Sequence, residues 1–133
     1  MGIKVRNVDE WILNLNIPGT LTTSLKACVA VPFPGWIKNV NAKLGTAGTG
    51  VTSTTLDINL NGTSIYSSTG ITITATAGVV THGAYSTDPT PVSAGDLLTL
   101  DVDGIAVAPA NLCCTVVISK RDPSATGHAA DLR

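Results

Sequence analysis

Asp57, Asn59 and Asn61 place three oxygen-bearing side chains two residues apart, and Gly62 follows them. The run D-I-N-L-N-G matches the opening of a calcium loop, D-x-[DN]-x-[DN]-G, in which hard oxygen donors surround a hard cation. A complete loop of that kind needs a bidentate glutamate at its twelfth position, and helices on either side. Counting from Asp57, that position is Ser68. Both flanks, 54–60 and 63–66, alternate apolar and polar residues as strands do. The spacing of two is also the spacing at which a strand shows one face. Leu56, Ile58 and Leu60 are therefore expected to point into a core, with Asp57, Asn59 and Asn61 outside. No metal is expected here. Asn61-Gly62-Thr63 also spells a glycosylation acceptor, but a tight turn accounts for the same residues.

The rest of the chemistry-bearing set is sparse. The two histidines are His82 and His128. His82 borders a glycine at an expected strand end, and His128 lies in a polar terminal stretch. Neither has a nucleophile or carboxylate in a recognisable spacing, and no G-x-S-x-G, P-loop or G-x-G-x-x-G element occurs. The loop from Gly45 to Gly50 is glycine-rich, but no lysine or helix follows to cradle a phosphate. No catalytic residue, no cofactor-binding residue and no cofactor is expected, so the chain reads as a non-enzyme. The three cysteines, Cys28, Cys113 and Cys114, lack a C-x-x-C spacing, which argues against a zinc site or a disulfide framework. Cys113 and Cys114 are adjacent, so a strand sends them to opposite faces. Cys28 and one of that pair are expected in the core, in a reducing compartment.

The elements that carry these residues are short strands. Trp11, Leu13, Leu15 and Ile17 share one face. So do Leu25, Ala27, Val29 and Val31, up to the break at 32–35, where proline cannot donate to a ladder. Val40, Ala42 and Leu44 oppose Asn39, Asn41 and Lys43. Asn61-Gly62 between alternating runs is a strong hairpin signal, since both residues tolerate positive φ. Further strands are expected near 71–76, 97–102 and 112–119, with Gly95-Asp96 and Asp103-Gly104 as turns. About eight strands at roughly 8–12-residue spacing, with no helix, predict an all-β sandwich or barrel. The division is an N-terminal arm at 1–10, a β-sandwich at 11–119 and a C-terminal arm at 120–133.

Composition points outward from this core. The chain has 133 residues, enough for one domain, and a net charge of -1. That balance suggests no nucleic-acid partner and no anionic membrane. The start, MGIKVRNVDEW, lacks the apolar run of a secretion signal. It also has Arg6 where a myristoylation signal wants serine or threonine. Charged residues are 13% and aromatics 4%, and the charged share is about half the usual ~25%. A sheet protein with so few charges invites pairing unless partners cover it. The terminal arms supply candidate partner contacts: Ile3, Lys4, Val5 and Arg6 at one end, Lys120, Arg121 and Arg133 at the other. Phe33 and Trp36, beside the proline break, are candidate trimer or partner contacts.

Taken in order, the runs P-G-W-I-K-N-V-N-A, L-D-I-N-L-N-G-T-S-I-Y, V-S-A-G-D-L-L-T-L-D-V and L-C-C-T-V-V-I resemble the small jelly-roll head decoration (cement) proteins of tailed bacteriophages. The resemblance spans residues 11–119, and its most telling parts are Asn61-Gly62 and the element from Val92 to Val102. It implies a homotrimer on the outer capsid surface of a virion, made in the host cytoplasm. The arms would grip the major capsid protein and cement neighbouring subunits. Trimer contacts would use a sheet face rich in alanine and threonine. An alternative implied by the same fold is a receptor- or carbohydrate-binding module of a phage tail or fibre.

Overall fold

The computed structural model describes residues 9–122. Ile3, Lys4, Val5, Arg6, His128 and Arg133 lie outside that range. Eleven strands occur among the described residues, and no helix. They are β1 (Glu10–Asn14), β2 (Ile17–Thr20), β3 (Lys26–Ala30), β4 (Gly35–Thr46), β5 (Thr54–Leu60), β6 (Thr63–Ser64), β7 (Ile71–Ile73), β8 (Val80–His82), β9 (Thr90–Val92), β10 (Leu97–Gly104) and β11 (Ala110–Ser119). The count exceeds the eight expected because several elements are fragments. One run from Trp11 to Ile17 breaks into β1 and β2, both laid along β11. β6 is a two-residue return of a hairpin, and β8 is a three-residue edge.

Two antiparallel sheets pack face to face as a β-sandwich. The first has the order β1-β11-β4-β9, with β2 also on β11. The second has the order β3-β10-β5-β7-β8, with β6 on β5. The last long strands insert between early ones: β11 lies between β1 and β4, and β10 between β3 and β5.

The core is the set of inward positions that alternation selects. Leu13, Leu15 and Ile17 are buried, with Val40 and Leu44 on β4, Leu56 and Ile58 on β5, Leu98, Leu100 and Val102 on β10, and Leu112, Cys114, Val116 and Ile118 on β11. Alternation slips once on β4, where Asn39 faces Val117 and Ile37 faces Ile118, leaving Lys38 as the extra residue. This bulge keeps both Ile37 and Val40 buried although they stand three apart.

Cys28 is a correction. It is exposed, together with Cys113, while Cys114 alone of the three is buried. Cys28 falls between Ala27 and Val29, which pack against the core, so a period of two turns it outward. Burial pushes the Cys114 thiol up to about 12. In the native protein an alkylating reagent at neutral pH is therefore expected to modify Cys28 and Cys113 and spare Cys114, because the thiolate is the nucleophile. Intact mass before and after denaturation checks this: rapid native modification of all three thiols would contradict the buried position.

Candidate functional site

The residues of D-I-N-L-N-G form a polar ladder on the outer face of the second sheet. Asp57 stands opposite Asp101 in register, and Asn59 opposite Thr99. Two carboxylates side by side repel, and each has a partner that offsets this. Ser64 Oγ donates to Asp57 Oδ1 at 2.6 Å. Asn59 Nδ2 donates to Asp101 Oδ2 at 2.6 Å, and the Lys26 ammonium reaches Asp101 Oδ1 at 2.7 Å. The hydrogen bond from Lys26 to Asp101 holds the lysine pKa above its usual value, against some desolvation. Partial burial, with Asp57 and Asp101 nearby, holds the Asp103 carboxyl above the usual range. Among the described residues no group of three or more His, Cys, Asp or Glu side chains is placed to hold a metal ion.

Asn61-Gly62 makes the two-residue hairpin loop, with φ of 51° and 89°, between Leu60 and its partner Thr63. Positive φ at both central residues gives the twist that a two-residue hairpin needs, and glycine takes the second position without a Cβ penalty. The loop also joins the turn at Gly95-Asp96. Asn61 N–H donates to the Leu97 carbonyl at 2.8 Å, and Leu97 N–H donates to Asn61 Oδ1 at 2.9 Å. Asn61 Nδ2 donates to Asp96 Oδ1 at 3.0 Å, while Ser93 N–H donates to Asp96 Oδ2 at 2.8 Å. The Ser93 bond first, then the Asn61 bond, hold the Asp96 carboxyl below its usual range.

His82 lies on an edge strand, exposed, with Nδ1 at 3.3 Å from the Gly83 carbonyl oxygen. Its ring centroid is 5.8 Å from Tyr85 and 6.5 Å from Tyr66. Tyr66 stacks on Tyr85 with centroids 5.3 Å apart and planes 19° apart. Burial is the main cause that raises the Tyr66 phenol well above its ordinary range. The cluster packs the β8 edge against the core, and the Tyr66 hydroxyl is buried with no hydrogen-bond partner among the described residues.

The surface most suited to binding lies at one end of the first sheet. Trp11, Phe33, Trp36, Pro91 and Lys120 line an open groove of about 640 Å³. Sequence spacing separates these residues widely, but pairing brings them together. Trp36 is in register with Ser119 on one side and Pro91 on the other, and Ser119 is in register with Glu10. Phe33 comes from the proline turn that carries the chain from β3 to β4. It is 56% exposed and meets Trp11 edge to face, with centroids 5.0 Å apart and planes at 74°. The floor is possible because Gly35 has no side chain: a Cβ there would stand 2.5 Å from the Ser119 carbonyl oxygen. Trp11 Nε1 is buried and lacks a hydrogen-bond partner among the described residues.

The charged rim is made where the chain enters and leaves. Lys120 N–H donates to the Asp9 carbonyl at 2.6 Å, and Arg121 Nε is 3.7 Å from Asp9 Oδ1. Lys38 pairs with Glu10 across β11. Among the described residues the Lys120 ammonium has no ion-pair partner. Of the candidates named from sequence, Phe33, Trp36, Lys120 and Arg121 thus share one end of the sandwich. Trp11 was expected in the core. Its row on β1 does face inward, but its place at the sheet end leaves it half-buried and part of the groove wall. Pro91 gave no sequence signal, because its role depends on β9 pairing with β4. No protein family, curated protein or solved structure matches the chain.

Proposed function

We propose that this chain is a virion structural protein of the jelly-roll type, which binds the outer surface of a phage capsid as a trimer and cements neighbouring major capsid subunits. The observation that carries the reading is the convergence at one end of the sandwich. Residues 1–8 and 123–133 attach at Asp9 and Asp122, beside an exposed apolar groove and the basic side chains of Lys120 and Arg121. Arms anchored next to an apolar patch let one protein touch several subunits, and linked weak contacts strengthen one another through effective concentration. The strand order supports the jelly-roll reading, since β10 and β11 return between early strands as the strands of nested Greek keys would. The low overall share of charged residues, 13%, suits a surface that packs against symmetry mates.

Deleting residues 1–8 or 121–133 is expected to abolish co-sedimentation with undecorated capsids, while circular dichroism of the domain stays unchanged. Truncated protein that decorates capsids with full affinity would sink the reading. The second reading, a receptor- or carbohydrate-binding module, is favoured by the Trp11, Phe33 and Trp36 walls, because aromatic faces suit stacking of sugar rings. A glycan array distinguishes it: specific binding lost in Trp36→Ala, with no affinity for capsids, would replace decoration by recognition.

A further inference from the structure

The end of the sandwich opposite the groove carries an apolar surface of its own. β4 and β11 run antiparallel, so the end of β4 and the start of β11 lie away from Trp36 and Ser119. Three loops meet there: 47–53 between β4 and β5, 74–79 between β7 and β8, and 105–109 between β10 and β11. We propose that these loops are the contact through which copies of this chain associate, docking on the same loops of a second copy around a symmetry axis.

Each loop carries one exposed valine. Val51 is fully exposed, and Val79 and Val107 are more than half exposed. The loops are tied together. Thr49 and Val107 exchange backbone hydrogen bonds of 3.0 and 2.9 Å, and Thr76 N–H donates to the Gly48 carbonyl at 2.8 Å. A Cβ at Gly50 would stand 3.2 Å from Val107 Cγ2, and one at Gly78 would stand 3.4 Å from the Ala47 Cβ. The valines therefore stand on adjoining loops, and grouped apolar exposure of this kind marks an interaction surface where single residues would not. The surface is also set in shape. Thr76 and Ala108 hold φ of 64° and 56°, a left-handed backbone that is unusual outside glycine and most of all in a β-branched residue. Such conformations persist only where their surroundings fix them, so little ordering remains to be done when a partner arrives.

Charge names the occupant. Residues 44–56, 74–81 and 105–119 hold no Asp, Glu, Lys, Arg or His; Lys43 and Asp103 border them along the chain. The opposite end carries Asp9, Glu10, Lys38, Lys120 and Arg121. A surface that meets its own copy sets every charge against the same charge, and like-charge contact is costly. A neutral surface escapes that cost. Its exposed polar side chains include Thr49, Thr52 and Thr76. A hydroxyl both donates and accepts, so two copies of one threonine satisfy each other. A lipid surface fits less well. Membrane-surface anchors use Trp, Phe or Leu with Lys or Arg beside them, and the three loops have none of these.

The inference rests on the reading above only in that the chain associates with itself, and it places the contact away from the groove. Sedimentation velocity over a range of protein concentrations tests it. The full chain is compared with Val51→Asp, with the double variant Val51→Asp, Val107→Asp, and with Phe33→Asp as a control at the groove end. The full chain and Phe33→Asp are expected to associate as concentration rises. Val51→Asp is expected to weaken association by about tenfold and the double variant by more than about 100-fold, because each copy then sets a carboxylate against the same carboxylate. Far-ultraviolet circular dichroism checks folding, and Val51→Asp alone keeps the test decisive because its side chain is fully exposed. A full chain that stays monomeric at every concentration would overturn the inference. Equal association of the full chain and both valine variants would also overturn it, while leaving self-association through another surface standing. Flotation of a monomeric full chain with phosphatidylcholine vesicles, lost in the double variant, would overturn it and assign the loops to lipid.

Discussion

Replacing Leu100 with alanine is expected to lower the unfolding free energy by about 2–5 kcal/mol, the range for truncating a large buried aliphatic side chain. Leu100 is fully buried at the centre of β10, with Ile58 of β5 and Ala27 of β3 as its register partners. β10 is the strand on which the second sheet depends, because both β3 and β5 pair with it. Truncation removes contacts to both neighbours and to the facing sheet, and a close-packed interior relaxes only in part. A small domain has about 5–15 kcal/mol in total, so such a loss should appear as a clear shift of the urea midpoint. Leu97→Ala is the internal control. Leu97 lies on the same strand but is exposed, and its truncation should change stability by less than about 0.5 kcal/mol. Equal losses at the two positions would mean that burial does not decide the cost.

Gly35→Ala should also destabilise, and here the sign carries the information. Glycine inside a strand usually costs about 0.5–1 kcal/mol relative to alanine, so the change would ordinarily help. At Gly35 the new Cβ would stand 2.5 Å from the Ser119 carbonyl oxygen and 2.9 Å from Ile118 Cγ2. The nearer atom is backbone, so β4 and β11 must separate where Trp36 pairs with Ser119. Overpacking of this kind costs about 1–3 kcal/mol. The groove floor moves with it, so tryptophan emission should shift along with the denaturation midpoint. A stabilised variant would show that the close approach imposes no constraint.

The outcome for D-I-N-L-N-G illustrates how far local reading reaches. Alternation assigned Leu56 and Ile58 to the core and Asp57 and Asn59 to the outside, and both assignments agree with the sandwich. Asn61-Gly62 specified a hairpin loop that occurs as expected. The partners of those outward residues were not legible. Asp57 faces Asp101, and Asn59 reaches the same aspartate, across 44 residues of chain at Asp57 and 42 at Asn59. Nothing in either local stretch encodes that meeting. Cys28 shows the opposite case: its local alternation pointed outward, while the general preference of cysteine for the interior pointed inward, and the pleat decided.

By itself the sequence determined the all-β class, the inward faces of β1, β3 and β5, the hairpin at Asn61-Gly62 and the shortage of charge. Each of these is local, because a strand's two faces and a turn's φ values depend on neighbours in the chain. Tertiary structure alone decided that Trp11, Phe33, Trp36, Pro91 and Lys120 form one groove, with the Asp9 carbonyl held by the Lys120 N–H. That arrangement rests on β11 entering between β1 and β4 and on β9 adding to β4, pairings between segments far apart in sequence. Such pairings are selected by the burial of two whole sheet faces at once, which no short stretch of residues can express.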